Sequence, residues 1–97
     1  MDKMLILVYN NALERVVLDC IEECEVSCFT LIPKVFGRGL TGGPRLGTSV
    51  WPGENAMLLI VDRQERIEAL LERAKELKAR HHGKGVKAFV LGVEEKV

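Results

Sequence analysis

Two short runs of the sequence are apolar at every position: residues 4–9 (Met-Leu-Ile-Leu-Val-Tyr) and residues 56–61 (Ala-Met-Leu-Leu-Ile-Val). Because side chains of a β-strand alternate between the two faces of its sheet, strands of this kind must be covered on both faces. The rest of the chain offers only two amphipathic helices, which can cover one face. We therefore expect self-association to bury the second face, since a large open apolar patch is unusual in a soluble monomer.

A helical repeat of apolar residues follows each of the two runs. Asn11 and Glu14 have the spacing of a capping box, and we predict a helix over residues 12–24. Asp62 and Glu65 repeat this capping spacing at the start of a second helix. The apolar stripes of the two helices are Leu13, Val16, Val17, Cys20, Ile21 and Cys24, and then Ile67, Leu70, Leu71, Ala74 and Leu77.

Residues 28–36 and 88–93 read as the two remaining strands. Pro33 lies inside the first of them and favours a position at the edge of the sheet. The order is then strand, helix, strand, strand, helix, strand, in one domain that spans residues 1–97. This pattern predicts an α+β, ferredoxin-like βαββαβ fold, with a four-stranded antiparallel sheet and two helices on one face.

The longest irregular segment is the glycine-rich stretch of residues 37–53. It holds six of the nine glycines and two of the three prolines, and no acidic residue occurs between Val26 and Gly53. Its first residues spell G-x-G-x-x-G, but no helix follows, so the dinucleotide fingerprint is incomplete. We interpret the segment as a loop that meets a partner or an anion; a passive connection is the alternative.

A second candidate site follows the second helix, which should end at Gly83. The string Gly83-Lys84-Gly85-Val86-Lys87 combines close backbone approach with ammonium groups, and this combination suits a phosphate. A plain turn explains the glycines equally well. His81 and His82 just before it are either favourable cations at the end of the helix or metal ligands.

Cysteine content and charge exclude some classes of protein. Cys20, Cys24 and Cys28 recur every four residues, and the first two lie on the apolar helix stripe, so core packing is favoured over a metal site. An odd number of cysteines and no visible signal peptide predict a cytoplasmic protein with reduced thiols. The 14 basic and 14 acidic side chains balance, which argues against a nucleic-acid partner, and no segment is long enough for membrane insertion.

Three local strings, in this order, resemble the PII superfamily of signalling proteins, which includes the nitrogen regulatory proteins. Residues 35–39 (Val-Phe-Gly-Arg-Gly) are similar to the base of the family's long T-loop. Residues 56–62 (Ala-Met-Leu-Leu-Ile-Val-Asp) resemble its third strand and helix start. Residues 82–90 (His-Gly-Lys-Gly-Val-Lys-Ala-Phe-Val) and 92–95 (Gly-Val-Glu-Glu) resemble its B-loop, fourth strand and acidic end. The resemblance covers essentially the whole chain.

The resemblance implies a homotrimer whose sheets face inward. It also implies three clefts between subunits, each bounded by the base of one T-loop and by a B-loop, where typical members bind adenine nucleotides. Carried over to this sequence, the ligand-binding residues would be Gly37, Arg38, Gly83, Lys84, Gly85 and Lys87.

The sequence departs from the family pattern at both loops. Gly39 stands in the position of a family glutamine, Val86 breaks the B-loop spacing, and both loops are shortened. The T-loop-like segment of residues 37–53 also lacks a tyrosine for modification, because the single tyrosine of the sequence, Tyr9, lies in the first strand. In these respects the sequence is similar to divergent PII-like proteins, which are linked to transporters or metal handling rather than to nitrogen enzymes.

The leading hypothesis is a non-enzymatic, trimeric regulatory protein. A small ligand, such as an adenine nucleotide, would bind in the clefts between subunits and change how well the loop of residues 37–53 is ordered. That loop would then engage a partner such as a membrane transporter. Its partner-facing residues would be Leu40, Thr41, Arg45, Leu46 and Trp51.

Two other classes remain open at the level of sequence. The first is a divalent-metal-binding or metal-tolerance trimer similar to CutA, with His81, His82 or the cysteines as ligands. The second is a small ferredoxin-like enzyme, such as an isomerase, which would need a buried titratable group on a strand. Lys34 is the one candidate for that group.

Overall fold

The computed structural model describes residues 1–37 and 54–97. Four strands and two helices follow one another in the predicted order, with a short 3-10 turn between the first strand and the first helix. No helix in these two ranges is long and apolar enough to cross a membrane. The elements are β1 (Asp2–Asn10), the 3-10 turn (Asn11–Leu13), α1 (Glu14–Glu23), β2 (Thr30–Val35), β3 (Asn55–Arg63), α2 (Gln64–Arg80) and β4 (Val86–Gly92).

The strands form one antiparallel sheet in the order β2-β3-β1-β4. The two runs that are apolar throughout are the two central strands, and they pair from Asp2 opposite Arg63 to Asn10 opposite Asn55. Central strands have neighbours on both sides, so all their backbone groups can be paired. The ferredoxin-like fold predicted from the sequence is confirmed.

One face of the sheet packs against both helices and forms the core. The residues of β1 and β3 that face the helices are at most 4% exposed, and the apolar stripes of the helices complete this core. Burying each leucine or isoleucine of this set contributes about 1.5–3 kcal/mol. The core side chains from the central strands are Leu5, Leu7, Tyr9, Ala56, Leu58 and Ile60.

The opposite face of the sheet is also apolar, and no element of residues 1–37 and 54–97 covers it. Four of its side chains are large and between 36% and 55% exposed: Ile32, Val61, Phe89 and Leu91. Strand register places the other members between them. We call this surface the open sheet face; its apolar residues are Met4, Ile6, Val8, Ile32, Met57, Leu59, Val61, Phe89 and Leu91.

The first α-helix begins two residues later than predicted. Asn10, rather than Asn11, provides the cap: its Oδ1 accepts the Ala12 amide at 2.9 Å. The first turn is 3-10, and α1 begins at Glu14. The Glu14 carboxylate does not complete a capping box, because it accepts the Tyr9 hydroxyl at 2.5 Å instead.

The predicted cap of the second helix is wrong. The ladder with β1 continues past the apolar run, so Asp62 still belongs to β3 and α2 begins at Gln64. Asp62 Oδ1 accepts the Arg63 amide at 2.7 Å and the Arg66 guanidinium at 3.2 Å. The Gln64 amide donates to the carbonyl of Met1 at 2.9 Å, which ties the helix start to the first residue.

The two outer strands are shorter or shifted relative to the prediction. β2 begins at Thr30 rather than at residue 28, and its register shifts between Ile32 and Val35, around Pro33. The edge position that this proline favoured is confirmed. β4 begins at Val86, two residues early, because Val86 pairs with Tyr9 and is buried.

We expect Tyr9→Phe to change the alkaline limit of stability. Burial and the hydrogen bond to Glu14 raise the pKa of Tyr9 above its ordinary value of 10.0. The folded chain therefore keeps a proton that the unfolded chain loses, so this contribution is present below about pH 10 and is lost as the pH rises further. The variant should lose about 1 kcal/mol at neutral pH. Between neutral pH and about pH 10.5, the free energy of unfolding of the variant should then fall less than that of the wild type, as measured by urea unfolding. An identical alkaline decline in both proteins would contradict this assignment.

Candidate functional site

The segment of residues 81–87, which comprises the turn after α2 and the first two residues of β4, carries most of the candidate ligand-binding residues. Three of its residues have left-handed backbone: His82, Gly83 and Gly85, with φ of 60°, 77° and 82°. The amides of residues 81–84 donate to main-chain carbonyls of the last helical turn or of the turn itself, at distances between 2.9 and 3.2 Å. The turn is thus closed by its own backbone, as at many helix ends.

This closure decides what chemistry the turn can offer. Four amides are already used, so an anion would be held mainly by side chains. Residues 81–85 and Lys87 are exposed, and no acidic residue occurs between Leu77 and Val93. Lys84 and Lys87 therefore present two ammonium groups to solvent from a stretch of sequence without acidic residues, which suits a phosphate.

The end of β1 joins this turn to the glycine-rich segment. The Asn10 amide donates to the carbonyl of Gly85 at 3.0 Å, and the Asn11 amide donates to the carbonyl of Glu54 at 2.7 Å. Glu54 is the first described residue after the segment of residues 38–53. Two neighbouring amides of one strand end thus hold two elements that are distant in sequence.

The two ends of the glycine-rich segment are tied together by side chains. Lys34 Nζ lies 3.0 Å from Glu54 Oε2, and 5.8 Å from the centre of the Phe36 ring. We call Lys34, Phe36, Gly37 and Glu54 the loop stem. Gly37 is exposed, and a Cβ there would meet nothing within 4 Å.

The other residues predicted for the loop lie outside the described residues. They are Arg38, Leu40, Thr41, Arg45, Leu46 and Trp51.

The catalytic alternative receives no support from Lys34. A general base in a strand would need a buried group with a perturbed pKa. The Lys34 side chain is 56% exposed and pairs with a carboxylate. Lys34 therefore belongs to the loop stem and does not fit an active site.

The histidines and cysteines form no metal cluster in the described ranges. Within residues 1–37 and 54–97, no three His, Cys, Asp or Glu side chains come together to hold an ion. Cys20 is buried in the core, Cys24 is half-buried and Cys28 is exposed, and all three are free thiols. Burial raises the pKa of Cys20 and of Cys24, as expected for packing residues rather than reactive thiols.

The sequence-based reasoning missed Asn10 and Glu54 as parts of this region, and it read Asn11 only as a cap. A signal existed, because two asparagines directly follow an apolar strand and such side chains commonly end strands and begin turns. Their main-chain partners could not be read from the sequence, since the hydrogen bonds depend on tertiary placement.

The chain matches the model of the family described as nitrogen regulatory protein P-II over residues 2–97. It therefore belongs to this family, and the predicted resemblance is confirmed. No curated protein sequence matches the chain.

Solved structures of PII-like proteins share the fold at low sequence identity. A PII-like signaling protein from Thermus thermophilus is 22% identical, with a TM-score of 0.70 over 95% of this chain and 85% of that one. CPII from Thiomonas intermedia, bound to ADP, AMP and acetate, is 17% identical, with a TM-score of 0.70 over 93% of this chain and 83% of that one. The same protein bound to ADP and bicarbonate is 19% identical, with a TM-score of 0.70 over 92% and 82%.

Alkylation rates should follow the burial of the three cysteines. With iodoacetamide at neutral pH, we expect Cys28 to react first, and Cys20 and Cys24 to react more slowly, because Cys20 is buried, Cys24 is half-buried and burial raises the pKa of both thiols. Peptide mass spectrometry over time measures this order, and a Cys28→Ser variant should lack the fast phase. Equal rates at Cys20 and Cys28 would contradict the core assignment.

Proposed function

We propose that the chain is a non-enzymatic regulatory protein that acts as a homotrimer in the cytoplasm. It binds an adenine nucleotide next to the turn of residues 81–87 and transmits this to a protein partner. The observation that carries the proposal is the junction at Asn10 and Asn11, which places the cationic turn beside the loop stem. Membership of the P-II family supports a regulatory role over a catalytic one.

The open sheet face supports self-association. Its side chains are large and apolar, and burying them would contribute about 25 cal/mol per Å². In a closed trimer each copy turns this face inward, so the three copies cover one another. Such an assembly also forms clefts between subunits, as the family resemblance implies, and the turn and the loop stem would border these clefts.

The cationic turn supports a phosphate-bearing ligand. In the proposed site Lys84 and Lys87 neutralise phosphate charge, while Gly83 and Gly85 allow close approach. Gly37 and Arg38 would contribute from the base of the loop. One structure of CPII, which shares this fold, is bound to ADP, AMP and acetate, and this supports an adenine nucleotide as the first ligand to test.

The proposed output is a change in the loop of residues 37–53. Ligand binding would shift the population of loop conformations toward one that binds a partner such as a membrane transporter. The partner-facing residues in this proposal are Leu40, Thr41, Arg45, Leu46 and Trp51.

Titration calorimetry with ADP tests the ligand part of the proposal. The wild type should bind, and Lys84→Gln and Lys87→Gln should each weaken binding about tenfold, or ~1.4 kcal/mol, because each removes one ammonium from the phosphates. Lys75→Gln is the matched control: it removes the same charge from an exposed residue of α2 that pairs with Glu72. No binding by the wild type, or an equal loss in Lys75→Gln, would refute this site.

A charge placed on the open sheet face should break the assembly. We expect Leu59→Glu to convert the trimer to monomers in sedimentation velocity runs, because a carboxylate cannot be buried there without a partner. Val16→Glu is the control, since Val16 is 39% exposed but lies on α1, away from this face. A trimer that survives Leu59→Glu, or is lost equally in Val16→Glu, would show that another surface holds the copies together.

A further inference from the structure

We propose that Asn10 and Asn11 are positioning residues that couple the proposed ligand-binding segment, residues 81–87, to the loop stem. Resting on the proposed function, this inference states how occupancy of residues 81–87 would reach the loop. The coupling runs through the main chain: Gly85 carbonyl to Asn10 amide, and Asn11 amide to Glu54 carbonyl.

The geometry makes the two contacts a single mechanical unit. The donors are consecutive amides, in the two planar peptides that meet at the Asn10 Cα atom. Asn10 is held extended, at φ −69° and ψ 138°, by the bond from the Ala12 amide to its side chain. The 3-10 turn follows at once, so the φ and ψ angles of Asn10, which link the two peptides, have little freedom to let one contact move without the other.

The stem end of the path reaches both flanks of residues 38–53. Glu54 follows the segment, and its carboxylate pairs with Lys34, which lies on the strand that precedes it. A displacement of the Glu54 carbonyl therefore acts on both flanks at once. The turn end is equally well defined, because Gly85 has left-handed backbone and lies against Leu13, the last residue of the 3-10 turn.

Coupling of this kind is reciprocal. If a ligand at the turn biases the loop stem, then a change at the stem must alter ligand affinity by the same factor. A residue that merely stabilises the fold would not connect these two quantities. The path can therefore be tested from either end.

A single substitution can remove the link at its centre. Asn11→Pro deletes the amide that donates to Glu54. The position tolerates proline, because it begins a helical turn and Asn10 before it is already extended. Asn11→Ala is the matched control, since it removes the side chain but keeps the amide.

The first readout is the response of the stem to ADP in amide NMR spectra. The wild type and Asn11→Ala should show shifts at Glu54 and Asn55 when ADP is added. Asn11→Pro should still bind ADP within about threefold of wild type but lose these shifts. Retained shifts in Asn11→Pro, or lost shifts in Asn11→Ala, would overturn the proposal.

The second readout is the effect of a change at the loop stem on amide shifts, and it needs no ligand. Lys34→Ala breaks the ion pair at the stem and should shift the amides of Asn10 and Gly85 in an otherwise native chain. Asn11→Pro combined with Lys34→Ala should show no such shift beyond that of Asn11→Pro alone. Unmoved Asn10 and Gly85 amides in Lys34→Ala would overturn the coupling. Failure of ADP to bind the wild type would refute the proposed ligand only.

Discussion

The structure depends on one constraint: the two central strands are apolar on both faces. Burial on one face fixes the fold, because Leu5, Leu58 and Ile60 are completely buried under the helices. No element of residues 1–37 and 54–97 covers the other face, and a slip of one residue in register would exchange the two faces. Because both faces are apolar, hydrophobicity alone does not define the register. The helices, the β2 shift and the turn contacts must therefore help to select it.

The same two strands bring the candidate site together. β1 ends at Asn10, where its neighbours are β3 on one side and β4 on the other. The residues just before β3 and just before β4 are Glu54 and Gly85, so antiparallel pairing places both beside the end of β1. The junction is thus a direct result of strand order. A cationic turn with its own amides satisfied then offers ammonium groups next to a stem closed by the Lys34–Glu54 ion pair.

Much of this could be predicted from the sequence, because it follows from local periodicity. The four strands, the two helices and the edge position of β2 all have clear patterns, and the string of residues 82–90 indicated the family. The starts of both helices were predicted wrongly, although Glu14 and Asp62 have the spacing of capping residues. In the structure the Glu14 carboxylate accepts the Tyr9 hydroxyl, and the Asp62 carboxylate accepts the Arg63 amide. The site was found only in part, because the bonds from Asn10 and Asn11 use main-chain atoms that every residue has.

Native mass spectrometry of the wild-type chain with added ADP counts chains and nucleotides in one species. In the proposed trimer the open sheet face is buried among copies, and the clefts between copies hold the ligand. We therefore expect a complex of three chains, about three times 10.8 kDa, that carries up to three nucleotides. A single unliganded chain, at protein concentrations where the proposed assembly should be complete, would refute both the trimer and the nucleotide site.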